Sequence, residues 1–184
     1  MAPRTLWLLR HAKTVADPPD GGTDFDRVLA PRGRRDATAL GHRFGADGTR
    51  LGLGETPLPQ LALVSPAART VATAEMVLAE LAAPPEVQMV PVLYGADPEE
   101  VIEVLRALPE EVTSVMVVGH NPTAHALSQG LIAKKDKKGH DLAVRLGFPT
   151  CALGLYVFAG PTWGQVAARR GALAALFIPP YGDT

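Results

Sequence analysis

Three groups of polar residues in this sequence have the side chains needed to bind and attack a phosphoryl group. Arg10-His11 follows a short apolar run, and Arg69 and His120 each follow a later apolar run. Together they supply two guanidinium groups, which bind oxyanions bidentately, and two imidazole rings, which can act as nucleophiles. This combination of side chains suits a dianionic phosphoryl group.

The chemistry expected of such a group follows from the properties of imidazole and guanidinium. A neutral imidazole can attack phosphorus when one ring nitrogen is free and the other is held by a hydrogen-bond acceptor. Neighbouring arginines lower the pKa of the ring and keep it neutral near pH 7. The arginines and a second, protonated histidine would then stabilise the phosphoryl oxygens without a metal, since they carry the charge that Mg²⁺ supplies elsewhere.

Short apolar runs alternate with amphipathic ones along the chain and predict the elements that position these residues. Four strands are predicted at 5–9, 61–64, 87–92 and 114–118, and a closing pair at 152–158 and 165–170, before a last apolar segment at 173–178. Helices are predicted at 31–44, from Ser65 as N-cap to Pro84, from the Asp97 cap to 108, and from 119 to 131. This alternation predicts an α/β fold with a mostly parallel sheet and helices on both faces, a three-layer α/β/α sandwich.

Such a sheet would bring the three polar groups together, because ligands of open α/β sheets bind at the carboxyl ends of the strands. Arg69 is expected in the first turn of a helix, where a cation is disfavoured by the helix dipole. A bound phosphate would supply the reason for its placement.

Length and composition exclude several other classes. The 184 residues predict one domain spanning 1–184, and the formal net charge of −1 and 5% aromatic content argue against a nucleic-acid binder. A single cysteine excludes an internal disulfide and a cysteine-based zinc site. No apolar run is long enough for a membrane span, so the expectation is a soluble cytoplasmic protein without membrane partners, compatible with a monomer.

The segment Leu8-Leu9-Arg10-His11-Ala12-Lys13 resembles the arginine–histidine signature of the histidine phosphatase superfamily. The Ala-Lys continuation is similar to that of its SixA-type phosphohistidine phosphatases. Further segments resemble that group in the same order along nearly the whole chain: 24–33, 65–74, 118–122 and 148–150. The resemblance implies a phosphoglycerate mutase-like fold.

The resemblance also implies roles for individual residues. His11 would be the phospho-accepting nucleophile, Arg10 and Arg69 would bind the phosphoryl oxygens, and His120 would complete the pocket. Three further candidates for substrate binding or positioning are Arg27, Ser65 and Asn121. Arg32, Arg34 and Arg35 either line the mouth of the pocket with Arg27 or form a solvated helix face.

The proton donor is unknown at this stage. Many relatives supply an acidic residue from the middle of the chain, but 93–97 lacks a clear counterpart, since Asp97 is better explained as a helix N-cap. Asp17 and Asp26 are the remaining candidates. Because the leaving nitrogen of phosphohistidine protonates readily whereas an alkoxide must be given a proton, we expect phosphohistidine or aryl phosphates to be cleaved faster than alkyl phosphates.

The leading hypothesis is therefore a metal-independent, cofactor-free phosphatase that forms a covalent intermediate at His11. Its substrate would be a phosphorylated protein or a small phosphate compound. Three alternatives stay open: a phosphate-binding module with little turnover, a small-molecule phosphomonoesterase of the same superfamily, and a metal-dependent hydrolase. Residues expected to be structural or solvated are His42, His125, His140, Tyr94, Trp163 and the lysine run 134–138, for which a docking surface is the alternative.

Overall fold

The computed structural model describes residues 2–45, 51–54 and 56–181. Its centre is a six-stranded sheet with strand order β3-β2-β4-β1-β5-β6. The strands are β1 (Arg4–Arg10), β2 (Leu61–Val64), β3 (Glu86–Met89), β4 (Ser114–Gly119), β5 (Leu153–Phe158) and β6 (Gly171–Phe177). The first four in spatial order are parallel, whereas β5 runs antiparallel to both β1 and β6. The predicted mostly parallel sheet is confirmed.

Helices cover both faces of the sheet. They are α1 (Pro31–Phe44), α2 (Ala68–Leu78), α3 (Pro98–Arg106), α4 (Thr123–Gly130) and α5 (Lys137–Leu146), with 3₁₀ turns at Asp24–Asp26, Pro91–Tyr94 and Trp163–Gln165. Within the described ranges, no helix has the length and apolar character needed to cross a membrane.

The core has two halves because successive side chains of a strand point to opposite faces. On β1, Leu6 and Leu8 pack into the half that contains residues of α3 and α4. Trp7 and Leu9 pack into the other half with residues of α1 and α2, where the Trp7 ring lies 5.4 Å from that of Phe44. Every residue from 5 to 9 is buried, as expected for a strand covered on both faces. The predicted three-layer sandwich is confirmed.

Several predicted boundaries at the edges of the sheet are wrong. The segment 165–170 is not a strand; the last strand is β6, whose Gly171 pairs with Phe158. The predicted strand 87–92 ends at Met89, because Pro91 lacks an amide proton and starts a 3₁₀ turn. The helix after β2 ends at Leu78 rather than at Pro84.

One helix, α5, was not predicted. It begins inside the lysine run, at Lys137, and its N-cap Asp136 accepts a hydrogen bond from the Gly139 amide at 2.9 Å. Asp136 also accepts from the Leu173 amide, which ties the start of the helix to β6. The lysines at 134, 135, 137 and 138 are exposed, as expected.

Candidate active site

A polar cleft of about 340 Å³ lies at the edge of the sheet where β1, β2 and β4 end. It contains the four residues expected to act on phosphate, Arg10, His11, Arg69 and His120, together with Arg27 and Asn121. The cleft is also lined by four residues for which the sequence predicted no role: Lys13, Thr14, Asp24 and Thr150. The cleft has an excess of cationic side chains and therefore suits an anionic ligand.

The backbone of His11 is held in place from both sides. Its amide donates to the Gly119 carbonyl at the end of β4, and its carbonyl accepts from the Cys151 amide, both at 3.1 Å. The next amide, that of Ala12, donates to Thr73 Oγ1 on α2 at 3.0 Å. The histidine is thus anchored to three separate parts of the fold.

Helix α1 supports the segment that follows His11 through a close backbone contact. A Cβ at Gly33 would lie 2.0 Å from the Lys13 carbonyl oxygen, so no other residue fits without moving the chain. The same carbonyl accepts a hydrogen bond from the Ala30 amide at 2.9 Å. This contact explains the glycine in the Pro31-Arg32-Gly33 element.

A backbone hydrogen bond fixes the tautomer of the His11 ring. Its Nδ1 lies 2.8 Å from the Ala12 carbonyl oxygen, which can only accept, so Nδ1 carries the proton and Nε2 has a free lone pair. Burial lowers the pKa of His11 to about 4, and the positive charges of Arg69, Arg10 and Arg27 also lower it. The hydrogen bond to the Ala12 carbonyl acts in the opposite direction and raises the pKa. The ring is therefore neutral at pH 7.

His120 is also neutral, contrary to the expected protonated form. Its Nδ1 accepts from Arg69 Nε at 3.3 Å, so the ring proton is on Nε2, which donates to Ser65 Oγ at 2.7 Å. Burial, followed by the charge of Arg69, lowers the pKa of His120 to about 3. Its ring centroid is 5.3 Å from that of His11.

The predicted N-cap role of Ser65 is wrong. The N-cap of α2 is Ala67, without a side-chain cap, and Ser65 makes no capping hydrogen bond. Its fully buried hydroxyl instead contacts His120 and does not line the cleft. Through this contact Ser65 can position His120, which is one of the two roles considered for it.

The two arginines expected to bind phosphate differ in how their donors are used. Arg10 Nη1 donates to the Phe148 carbonyl at 2.9 Å, whereas its buried Nε has no hydrogen-bond partner among the described residues. Both Nη atoms of the buried Arg69 contact Asp24, one on the carbonyl and the other on carboxylate Oδ2 at 2.9 Å. Arg10 lines the cleft, where a guanidinium suits the binding of an oxyanion.

Asp24 is the carboxylate of the cleft, and it was not among the candidates for an acid. Its Oδ1 accepts from Arg27 Nη1 at 2.9 Å, and its Oδ2 accepts from Arg69 and from the Tyr94 hydroxyl at 3.0 Å. The hydrogen bond from Arg27 is the largest cause that lowers the pKa of Asp24 to about 2. The sequence carries a signal for this contact, because Asp24 and Arg27 are three residues apart and can form a local ion pair.

The two predicted acid candidates do not line the cleft. Asp17 is exposed, and the Asp26 carboxylate accepts hydrogen bonds from the amide and hydroxyl of Thr23. Asp97 caps α3 through the Glu100 amide at 2.9 Å, which confirms its interpretation as an N-cap.

Tyr94 is not merely a packing residue. Its ring is edge-on to His120 at 5.5 Å and to Phe25 at 5.1 Å, and the Arg69 guanidinium lies 5.7 Å from its centre. It thus joins the 3₁₀ turn at Asp24–Asp26 to the two buried residues of the site. Trp163 is fully buried, as expected.

The other residues considered lie outside this cleft. Arg32, Arg34 and Arg35 are on an exposed face of α1, with Arg32 3.5 Å from Asp36, so the solvated-face alternative applies to them. His42, His125 and His140 do not line it either. Among the described residues, no group of three or more histidine, cysteine, aspartate or glutamate side chains could hold a metal ion.

Comparison with known proteins agrees with this geometry. The family model of the histidine phosphatase superfamily (branch 1) matches residues 6–90. Rv1276c, an uncharacterized protein of Mycobacterium tuberculosis, is 35% identical over 175 residues, which cover 93% of this chain and 99% of that protein.

Two solved structures of proteins assigned as the phosphohistidine phosphatase SixA are similar over almost their whole length. The one from Nakamurella multipartitia has a TM-score of 0.75 and 27% identity, and covers 98% of both chains. The one from Agrobacterium tumefaciens has a TM-score of 0.75 and 28% identity, and covers 97% of this chain and 100% of that one. The match in sequence, fold and motif order shows that the chain belongs to the histidine phosphatase superfamily and is of the SixA type.

Proposed function

We propose that this protein is a metal-independent phosphatase that hydrolyses phosphohistidine through a covalent phosphohistidine intermediate at His11. The observation that carries the proposal is the hydrogen bond between His11 Nδ1 and the Ala12 carbonyl at 2.8 Å. It leaves an unprotonated Nε2 in a cleft that Arg10, Arg69 and Arg27 also line.

The first step is the attack of the His11 Nε2 lone pair on phosphorus while the bond from phosphorus to the leaving group breaks. Because Nδ1 keeps its proton, the phosphorylated ring is cationic, and its charge is stabilised by the Ala12 carbonyl. Arg10 and Arg69 hold the equatorial oxygens, whose charge they offset in the transition state. Water then attacks phosphorus, the His11 ring leaves with its Nδ1 proton, and inorganic phosphate is released.

The ionisation of Asp24 disfavours an alkoxide leaving group. Asp24 is the one carboxylate among the described residues of the cleft, and a pKa of about 2 leaves it without a proton at neutral pH. An alkoxide leaving group needs a proton from an acid, whereas the nitrogen of a phosphorylated imidazole can depart as a neutral ring. We therefore propose phosphohistidine, presented by a protein or as a small compound, rather than an alkyl phosphate as substrate.

The direct test uses a single-turnover assay with p-nitrophenyl phosphate and with phosphohistidine, each with and without EDTA. We expect hydrolysis of both that resists the chelator and is lost in His11→Ala, with trapping of phosphate on the wild-type protein at alkaline quench, in which phosphohistidine is stable. His125→Ala is the matched control, because His125 is an exposed histidine of α4 outside the cleft.

Other outcomes would support the alternatives. Phosphate binding without turnover would indicate a binding module, and loss of activity with EDTA would indicate a metal-dependent hydrolase. A higher kcat/KM for glycerol phosphate than for phosphohistidine would indicate a small-molecule phosphomonoesterase. Full activity in His11→Ala would show that the nucleophile is another residue.

A further inference from the structure

Asp24 is an exposed residue of the cleft. Its side chain is 54% exposed, whereas that of Arg69 behind it is 8% exposed. In phosphoryl transfer the leaving group is in line with the nucleophile and on the opposite side of phosphorus. With His11 inside the cleft, the leaving group would therefore point outward, toward the exposed carboxylate.

The Asp24 carboxylate has room for another hydrogen bond. A carboxylate offers about four acceptor positions, two on each oxygen. In the structure Oδ2 accepts from Arg69 and from Tyr94, and Oδ1 accepts from Arg27. Among the contacts of the described residues, one position on Oδ1 is therefore open to a donor from a substrate.

The aromatic side chains next to Asp24 suit a flat ring. Tyr94 is 37% exposed, Phe25 is partly exposed, and their ring centroids are 5.1 Å apart. Since aromatic rings associate with one another at centroid distances of 4.5–7 Å, a planar leaving group can pack beside this pair.

We propose that Asp24 is a specificity-determining residue, whose carboxylate accepts the N–H of a phosphorylated imidazolium leaving ring that packs against Tyr94 and Phe25. This inference rests on the proposed function and names the structural element that selects its substrate class. A carboxylate at this place stabilises a protonated ring and repels a leaving group that departs as an anion.

The step balances without a proton from the enzyme. The substrate ring carries phosphorus on one nitrogen and a proton on the other. As His11 Nε2 forms its bond to phosphorus, the electron pair of the breaking P–N bond returns to the substrate ring. That ring leaves neutral and keeps its N–H, which remains bonded to Asp24. The positive charge has moved from one imidazole to the other.

The test compares two substrates that share the phosphoryl group and differ in the leaving group, phosphoimidazole and p-nitrophenyl phosphate. In Asp24→Asn we expect kcat/KM for phosphoimidazole to fall by about tenfold to a hundredfold, the effect of losing one charged hydrogen bond. For p-nitrophenyl phosphate we expect no fall, because nitrophenolate leaves as an anion. The ratio of the two kcat/KM values should therefore drop at least about tenfold.

Asp26→Asn is the matched control, because Asp26 is in the same 3₁₀ turn as Asp24 but does not line the cleft. Its ratio of the two kcat/KM values should equal that of the wild type. If Asp24→Asn lowers kcat/KM equally for both substrates, Asp24 only positions the arginines. If it raises kcat/KM equally for both, Asp24 only competes with phosphate for the arginines. Either result overturns the inference while leaving the phosphatase proposal intact. Absence of phosphoimidazole hydrolysis in the wild type would overturn both.

Discussion

Lowering the pH from neutral to about 5 should destabilise this protein through its two active-site histidines. Folding lowers the pKa of His11 from 6.5 to about 4 and that of His120 from 6.5 to about 3. The unfolded chain therefore binds more protons than the folded one below pH 6.5, so stability is lost as the pH falls through that value. The loss continues until each folded-state pKa is reached.

The size of the effect follows from these values. At about pH 5, each histidine is almost fully protonated in the unfolded chain and almost fully neutral in the folded one, which costs about 2 kcal/mol of unfolding free energy per histidine. Together they predict a loss of about 4 kcal/mol relative to about pH 7.5, where both states are neutral. The low pKa of Asp24 contributes little in this window because its carboxyl is ionised in both states.

Urea unfolding at the two pH values measures this loss directly, and His120→Gln isolates one half of it. We expect the variant to lose about 2 kcal/mol on acidification where the wild type loses about 4 kcal/mol. His125→Gln, at an exposed position, should behave like the wild type. Equal losses in the wild type and in His120→Gln would refute the reasoning that burial keeps His120 neutral.

Three further predictions concern the support of the site. Ser65→Ala leaves the buried Nε2–H of His120 without its acceptor and should cost about 1–3 kcal/mol of unfolding free energy, with a fall in kcat. Gly33→Ala should lower the free energy of unfolding by more than about 1 kcal/mol in the same urea assay, because the added Cβ would lie 2.0 Å from the Lys13 carbonyl oxygen. Gly130→Ala is the control and should not have this effect, because no described atom beyond its chain neighbours and its own helix backbone lies within 4 Å of its added Cβ. The kcat/KM for p-nitrophenyl phosphate should show no loss from protonation of His11 near pH 6.5, the ordinary pKa of histidine, because Nε2 stays unprotonated until about pH 4. A fall centred near pH 6.5 would contradict the lowered pKa.

The convergence of Arg10, His11, Arg69 and His120 could be predicted from the sequence. Arg10 and His120 stand at the ends of two apolar runs that form the neighbouring parallel strands β1 and β4, in which Arg10 pairs with Gly119. Polar residues that directly follow buried parallel strands must lie at the same edge of the sheet. No knowledge of the loops was needed for this inference.

The ends of the sheet were less predictable. The lysine-rich start of α5 has the composition of a solvated loop, and its helical state depends on the Asp136 cap and on the contact of that cap with β6. The predicted strand 165–170 lies several residues before β6, in a connection that the structure folds as a turn. This turn includes Gln165 in a 3₁₀ helix and Arg169 with φ of 60°. Local patterns carry little information about such connections.

The sequence by itself determined the α/β architecture, the edge of the sheet that carries the site, and the four residues whose side chains suit a phosphoryl group. Only the tertiary structure decided that Asp24 and Tyr94 belong to the site, that Ser65 contacts His120, and that His120 is neutral. The physical reason is that these features depend on contacts between distant segments, Ser65 with His120 across 55 residues, and Asp24 with Arg69 across 45 and with Tyr94 across 70. The burial of a side chain and the charges around it depend on every segment packed near it, so the pKa of a residue such as His120 is set only when these segments come together.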